Sequence, residues 1–223
     1  MGVKTLNEAS GRPAQHGVKM SRYLGPRVKK MRALGINLPG LSSKTIERRP
    51  HPPGQHGPNR RRKVSDFALQ LAEKQKMRLN YGVTEKQMRR LMKESLGSKM
   101  ATGDKLVELL ERRLDNIVFR AGFASTIPAA RQLVNHGHVT VNGRKVNIAS
   151  YRVRQGDVVE FRKRSRRLEI VTEALQTMGP YRPDWLKVDA DQRRVTVLEN
   201  PSADAAPFPV ELQLVVEFYS RSM

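Results

Sequence analysis

Hydrophobic and polar positions change period twice along this 223-residue chain. Residues 1–19, including NEASGRPAQHG, carry no apolar period and read as a disordered extension. Residues 20–63 form a basic arm rich in Arg, Lys, Pro and Gly. Its stretch RRPHPPGQHGPNRRRK has almost nothing to bury, so it is not expected to order alone. Pro52-Pro53-Gly54 and His56-Gly57-Pro58 are turn chemistry.

A 3.6-residue period begins after Val64. Ser65 suits the N-cap of a helix over 66–81, with Ala68, Leu71, Ala72 and Leu79 inward and Gly82 ending it. Lys74, Lys76 and Arg78 fall outside that stripe. Thr84 and Gln87 make a capping box for a second helix whose stripe is Met88, Leu91, Met92 and Leu96, stopped by Gly97. A third helix is predicted over 104–121, with Leu106, Leu110, Leu114, Ile117 and Ala121 inward. Ser125 or Thr126 caps a fourth, with Pro128 in its first turn and Ile127, Ala130, Leu133 and Val134 inward.

The period then drops to two. His138–Val141 and Arg144–Ile148 flank Asn142-Gly143, the strongest short hairpin signal, because a type I′ turn needs positive φ at both central positions. Tyr151–Arg154 and Val158–Arg162 read as short strands, and Leu168, Val171, Leu175 and Met178 as one more helix. Arg193–Glu199 and Val210–Tyr219 read as closing strands. The fold class is α+β, divided into a helical domain (64–103), a compact module of short helices on a small, mainly antiparallel sheet (104–172), and a C-terminal helix and strands packing back on the body (173–223).

Charge adds the partner. Lys and Arg number 42 against 21 Asp and Glu, giving a formal net charge of +21. Such a chain attracts polyanions, so a phosphate-rich partner is expected. Residues 19–63 hold 13 Lys or Arg and only Glu47 against them, whereas 173–223 hold five against eight acids. The acidic end suits a basic protein neighbour, with Glu211, Glu217 and Tyr219 as candidate contacts. The hydrophobic fraction of 38% is too high for a disordered polycation. With no Cys, disulfides, thiolate zinc sites and cysteine nucleophiles are excluded. No apolar run is long enough to span a bilayer. No signal or transit peptide is read, and a soluble, cytoplasmic protein is expected.

On the two central predicted helices, Arg113, Asn116 and Arg120 share one face, and Arg131 and Asn135 share the face opposite the apolar stripe of the next. These polar faces are expected to point outward together, with Arg144 and Lys145 brought close by the Asn142 turn. Arg is apt there, since its planar fork holds two phosphate oxygens. Aromatic residues make up 5%, too few for base stacking across a sheet to be the main binding mode. Candidate RNA contacts are Arg22, Tyr23, Arg27, Lys29, Lys30, Arg48, Arg49, Gln55, His56, Arg60, Arg61, Arg62 and Lys63 in the arm. Lys74, Lys76, Arg78 and Tyr81 are added from the first helix. From the module come Arg113, Asn116, Arg120, Arg131, Gln132, His136, His138, Asn142, Arg144 and Lys145.

Rival chemistry is weaker. Arg113-Leu114-Asp115 is similar to the RLD signature of pseudouridine synthases, whose Asp is the nucleophile, but no length remains for a catalytic domain. His136 and His138 lack a nearby third metal ligand, and Asp189-x-Asp191 reads better as a solvated turn than a magnesium site. No cofactor and no catalytic residue is expected.

The run RLDNIVFRAGFASTIPAARQLVNHGHVTVNGRKVNIASYRVRQGDVV strongly resembles the RNA-binding module of the small ribosomal subunit protein 4 family. SRYLGPRVKK, RRPHPPGQHG, EKQKMRLNYGVTEKQMRR and ELQLVVEFYSR resemble the other motifs of that family, in the same order, so the resemblance covers 20–223. STIPAARQLVNHGHVTVNG looks closest to cyanobacterial and plastid members, which admits a plastid location. The resemblance implies a primary binder of small-subunit ribosomal RNA, seated at a multi-helix junction early in assembly. It further implies contact with small-subunit protein 5, a place along the messenger entry channel, an effect on translational accuracy, and a monomer within the ribosome. Some members bind zinc through four cysteines. Here Val28, Met31 and the Lys44-Thr45 region stand where ligands are expected, so this is a cysteine-free form for which no metal is expected. The alternative is a free RNA-binding regulator of messenger translation.

Overall fold

The computed structural model describes residues 23–59, 64–177 and 182–222. Helix α1 (Arg27–Leu34) starts after Pro26 and ends at Gly35, whose φ of 69° is the left-handed conformation favoured by glycine. Met31, Leu38 and Leu41 are buried in the main core, and Leu38 N–H donates to Met31 Sδ at 3.3 Å. Burying each such side chain contributes about 1.5–3 kcal/mol. This first part of the basic arm, ahead of the 48–63 stretch, therefore packs on the body. Three well-spaced apolar residues are too few to show as a period.

Helices α2 (Asp66–Asn80) and α3 (Glu85–Leu96) form where the pattern places them. Ser65 caps α2, accepting from Ala68 N–H, and Thr84 with Gln87 completes the capping box on α3. Thr84→Ala removes the acceptor that satisfies a donor at the helix start and should lower stability by about 1 kcal/mol, read from the denaturant midpoint.

The predicted third helix is two: α4 (Thr102–Glu111) and α5 (Leu114–Arg120). The break at Arg112–Arg113 lets Arg113 bridge Arg152, while Leu114 and Asp115 N–H donate to the carbonyls of Tyr151 and Ala149. That tertiary hydrogen bonding replaces helical bonds and leaves no trace in the apolar stripe, all of which is buried. Thr126 caps α6 (Ile127–Asn135), with Pro128 in the first turn.

Strands β1 (Val139–Val141), β2 (Arg144–Lys145), β3 (Val158–Phe161), β4 (Leu186–Asp189) and β5 (Arg194–Val197) make an antiparallel sheet ordered β2-β1-β3-β5-β4. The Asn142-Gly143 turn has φ of 49° and 77°, as a type I′ turn requires. Register pairs Val139 with Phe161, Val141 with Val159, and Val159 with Val195, so one apolar face is continuous. Phe161 meets Phe123 edge-on at 5.4 Å, joining that face to the loop between α5 and α6. Tyr151–Arg154 is not a strand beyond the Arg152 bridge, and β4 has no counterpart in the sequence pattern.

Helix α7 (Glu169–Thr177) forms where Leu168, Val171 and Leu175 place it; Met178 of the predicted stripe lies outside the described residues. The C-terminal segment, read as a strand, is instead helix α8 (Leu212–Ser220). Its Val and aromatic content fits a strand by propensity, but packing against α2 and α4 overrides that. Fully buried Val215 and Tyr219 are spaced by four, as a helix face requires. Leu96, expected inward on α3, is exposed, and Ser95 is buried in its place.

Candidate nucleic-acid interface

The largest correction concerns the arginines of α5 and α6. Arg113, Asn116, Arg120 and Arg131 do not form an outward polar face. Arg113 and Asn116 are buried, and Arg120 and Arg131 are nearly so. Two buried carboxylates collect them. Asp115 accepts from Arg113 Nε at 3.1 Å and its terminal nitrogen at 2.8 Å. It also accepts from Arg131 Nε and terminal nitrogen at 2.9 and 2.6 Å, and from Asn116 N–H at 3.0 Å. Arg131 further donates to the carbonyls of Gly82 and Tyr81, tying α6 to the end of α2.

Glu111 is the second centre. It accepts from Tyr81 Oη at 2.6 Å and Asn116 Nδ2 at 2.8 Å, and Arg120 Nε lies 3.3 Å away. Arg120 also donates to Ala205 O at 2.8 Å, drawing in the C-terminal segment. Burial pushes the Glu111 carboxyl up from its ordinary value, against the pull of Arg120, and pushes the Tyr81 phenol well up. Sequence spacing puts these residues on a face opposite the apolar stripe. It does not show that a neighbouring helix covers that face too.

Helix α2 carries a similar correction. Lys74, read as outward, is buried, 2.7 Å from Glu85 and 4.8 Å from the centre of the Phe218 ring. Lys76 pairs with Glu73, and half-buried Arg78 donates to Gln75 Oε1. Of the expected protein contacts, Tyr219 is fully buried and donates to Glu85 at 2.9 Å. Its phenol is pushed up by burial first and by that bond second. Half-buried Glu217 accepts from Gln70 at 2.9 Å. These two dock α8 on the body; Glu211 is exposed.

Other candidates are on the surface. Tyr23, Lys29, Lys30, Arg48, Arg49, Gln55 and His56 are exposed, and Arg27 is half-buried. Gln132, His136, Asn142, Arg144 and Lys145 are exposed as well. Asn142 is committed to its turn, donating to Asp157 and accepting from Val158 N–H, both at 2.8 Å. His138 is half-buried against Ser165 Oγ at 2.9 Å, and burial lowers its pKa. Arg22, Arg60, Arg61, Arg62 and Lys63 lie outside the described residues.

Two matches decide the family. The model described as "Ribosomal protein S4/S9 N-terminal domain" fits residues 22–111, and the "S4 domain" model fits 112–159. The chain is 56% identical over 205 residues to "Small ribosomal subunit protein uS4" of Methylobacillus flagellatus, covering 92% of this chain and all of that protein. It is 52% identical to protein uS4B of Nitrosomonas europaea over the same shares, and 49% to uS4 of Chlorobaculum tepidum over 91% of this chain and all of that one. The chain belongs to the uS4 family.

In this uS4 chain the structure exposes cations that spacing does not single out. Lys86, Arg89, Arg90 and Lys93 form one outer face of α3, opposite buried Met88, Leu91 and Met92. Arg162, Lys163, Arg164 and Arg167 are exposed after β3. The signal is present in the chain: the first set complements the methionine stripe, and the second is a plain basic run. Asp115 is fully buried and saturated by two guanidinium groups, which agrees with a structural family and not with the nucleophile of an enzyme. Among the described residues no group of three or more His, Asp or Glu is placed to hold a metal. Asp189 caps its own turn, accepting from Gln192 N–H.

The α3 surface is tied to the loop before β3 by a two-pronged pair, Arg152 with Glu94, whose second contact is 2.6 Å. The hydrogen bond from Arg152 holds the Glu94 carboxyl below its ordinary 4.5. A depressed carboxylate stabilises the fold above its unfolded pKa and loses that contribution as pH falls through the folded value. Glu94→Gln should therefore lower stability slightly at pH 7, by less than about 1 kcal/mol for so exposed a pair. The gap from wild type should close as pH drops below 4.5, read from paired urea titrations.

Proposed function

We infer that the chain is a structural constituent of the small ribosomal subunit that binds its ribosomal RNA, in the cytoplasmic ribosome of a bacterium. The carrying observation is the division of its cations. Those inside pair with Asp115 and Glu111, whereas Lys29 and Lys30 of α1, the cations of the 44–49 loop, α3 and β2, and Arg162, Lys163, Arg164 and Arg167 stand exposed for phosphate. Phosphates from several RNA strands meet at a folded junction, and separate basic patches on one rigid body suit that target by shape. The internal arginines contribute by fixing the patches relative to one another.

The finer reading is an early assembly role at such a junction, with the acidic C-terminal end against small-subunit protein 5 and the chain lining the messenger entry channel. Family resemblance supports it, together with the exposed Glu211 carboxylate beside α8. The chain acts as a monomer within the particle. The test is sedimentation with small subunits through a high-salt gradient. Retention with the particle is expected. Release at salt that leaves other small-subunit proteins bound would favour a free RNA-binding regulator.

A further inference from the structure

A cleft of about 450 Å³ lies between α1, the 44–49 loop and the turn at Pro53-Gly54. Lys29, Arg32, Lys44, Arg48 and Arg49 line it, and no carboxylate does among the described residues. Val28, Ile46 and Pro53 supply an apolar floor, and Val28 and Ile46 pack on the main core beneath. The walls are held in place. Arg32 Nε donates to His51 O at 2.9 Å, which fixes the guanidinium and leaves other N–H groups for a ligand. Ile46 N–H donates to Asn37 Oδ1 at 2.9 Å, and Arg49 N–H donates to Ile46 O at 2.9 Å, folding the loop over the cleft. Gly57 closes the adjoining turn so tightly that a Cβ there would lie 2.0 Å from Pro52 O.

Cations alone, whatever the surface shape, suffice to follow an RNA backbone. A concavity with a cationic rim and an apolar floor instead suits a unit that is anionic at one end and flat and weakly polar at the other. Its volume lies in the range of about 300–1,000 Å³ usual for pockets that enclose small organic groups. We infer that this cleft takes one nucleotide turned out of the RNA stack, its phosphate on the Arg and Lys rim and its base on the Val28–Ile46 floor. This deepens the ribosomal-RNA reading and rests on it. Unpaired nucleotides are the positions at which RNA exposes base faces to proteins.

The test uses the full chain and two RNA hairpins, one fully paired and one carrying a single unpaired 4-thiouridine. Wild type should bind the second at least about fivefold more tightly and, on illumination, crosslink to the 44–54 segment. Thr45 is exposed and lines the cleft, so Thr45→Trp fills it without changing charge. Thr45→Leu accompanies it, since an indole could itself stack on a base. Both should bring the preference to within about twofold, with affinity for the paired hairpin unchanged. Preference kept in both variants, crosslinks elsewhere, or no preference in wild type would overturn the cleft assignment. Displacement of the unpaired-site hairpin by millimolar nucleoside monophosphate would assign the cleft to free nucleotides, against the proposal. Retention on small subunits separates the two levels: if it persists while hairpin discrimination is absent, the cleft assignment falls and the function stands. Loss of both removes both.

Discussion

Asp115→Ala should destabilise the fold by about 3–5 kcal/mol, the largest effect expected of any single substitution in the network. Its carboxylate is fully buried and receives five hydrogen bonds, four of them from Arg113 and Arg131. Removing it strands the buried Arg113 guanidinium and leaves Arg131 only its bonds to the Gly82 and Tyr81 carbonyls, and breaking a buried pair costs far more than the pair contributes net. Asp115→Asn should be intermediate, because the amide oxygen still accepts while the charge is gone. The measurement is urea unfolding followed by far-UV circular dichroism. The total stability of a domain is about 5–15 kcal/mol, so the Ala variant should lose about a third or more of it in most cases and unfold at a clearly lower urea midpoint. A drop under about 1 kcal/mol would mean that the arginines find water or other acceptors.

The second large effect is on binding. Replacing Lys86, Arg89, Arg90 and Lys93 by Gln removes four exposed cations from one face of α3. Of these, only Arg89 pairs internally among the described residues, at 4.0 Å from Glu85, so the helix should fold as before. Affinity for the small-subunit RNA should fall by about 2–4 kcal/mol, or roughly 30- to 1,000-fold, since hydrogen bonds to charged groups are worth about 1.5–3 kcal/mol each and need not add. Filter binding at near-physiological salt measures this. An unchanged melting temperature in the same variant shows that only RNA affinity has fallen.

What the sequence reveals follows from which forces are local. Caps at Ser65, Thr84 and Thr126, and the Asn142-Gly143 turn, are set by neighbouring atoms, and the structure forms them where the chain spells them. The apolar stripes of α3 through α6 are nearly as local, and most of their members are buried. The strand reading of 210–219 fails because β-branched and aromatic residues serve a helix as well when Val215 and Tyr219 find a partner surface on α2. The break between α4 and α5 depends on Tyr151 and Ala149, more than 30 residues away in sequence.

The candidate site divides the same way. Charge arithmetic identifies a polyanion partner, because net charge is a property of composition. It does not sort the cations, since burial of Arg113 or Lys74 is decided by a second element carrying the opposite charge. Spacing alone therefore points Arg113, Arg120 and Arg131 outward, and it gives the α3 cations no more weight than any solvated helix face. A charged residue on a polar helix face is exposed only if nothing packs there. In this fold the faces of α5 and α6 meet Glu111, Asp115 and the end of α2.

We propose that exposed cations grip the RNA while internal ones hold the fold. The most direct measurement of that division is the salt dependence of binding to the folded RNA junction. It compares wild type, the four-residue α3 variant and an Arg113→Gln/Arg131→Gln variant, all below their melting temperatures. Removing one phosphate contact should reduce the slope of log K against log salt by about 0.7–0.9. The slope of the α3 variant should therefore be shallower by about 3, whereas the internal variant should keep the wild-type slope and show only lower thermal stability. A wild-type slope in the α3 variant, with a reduced one in the folded internal variant, would contradict the account.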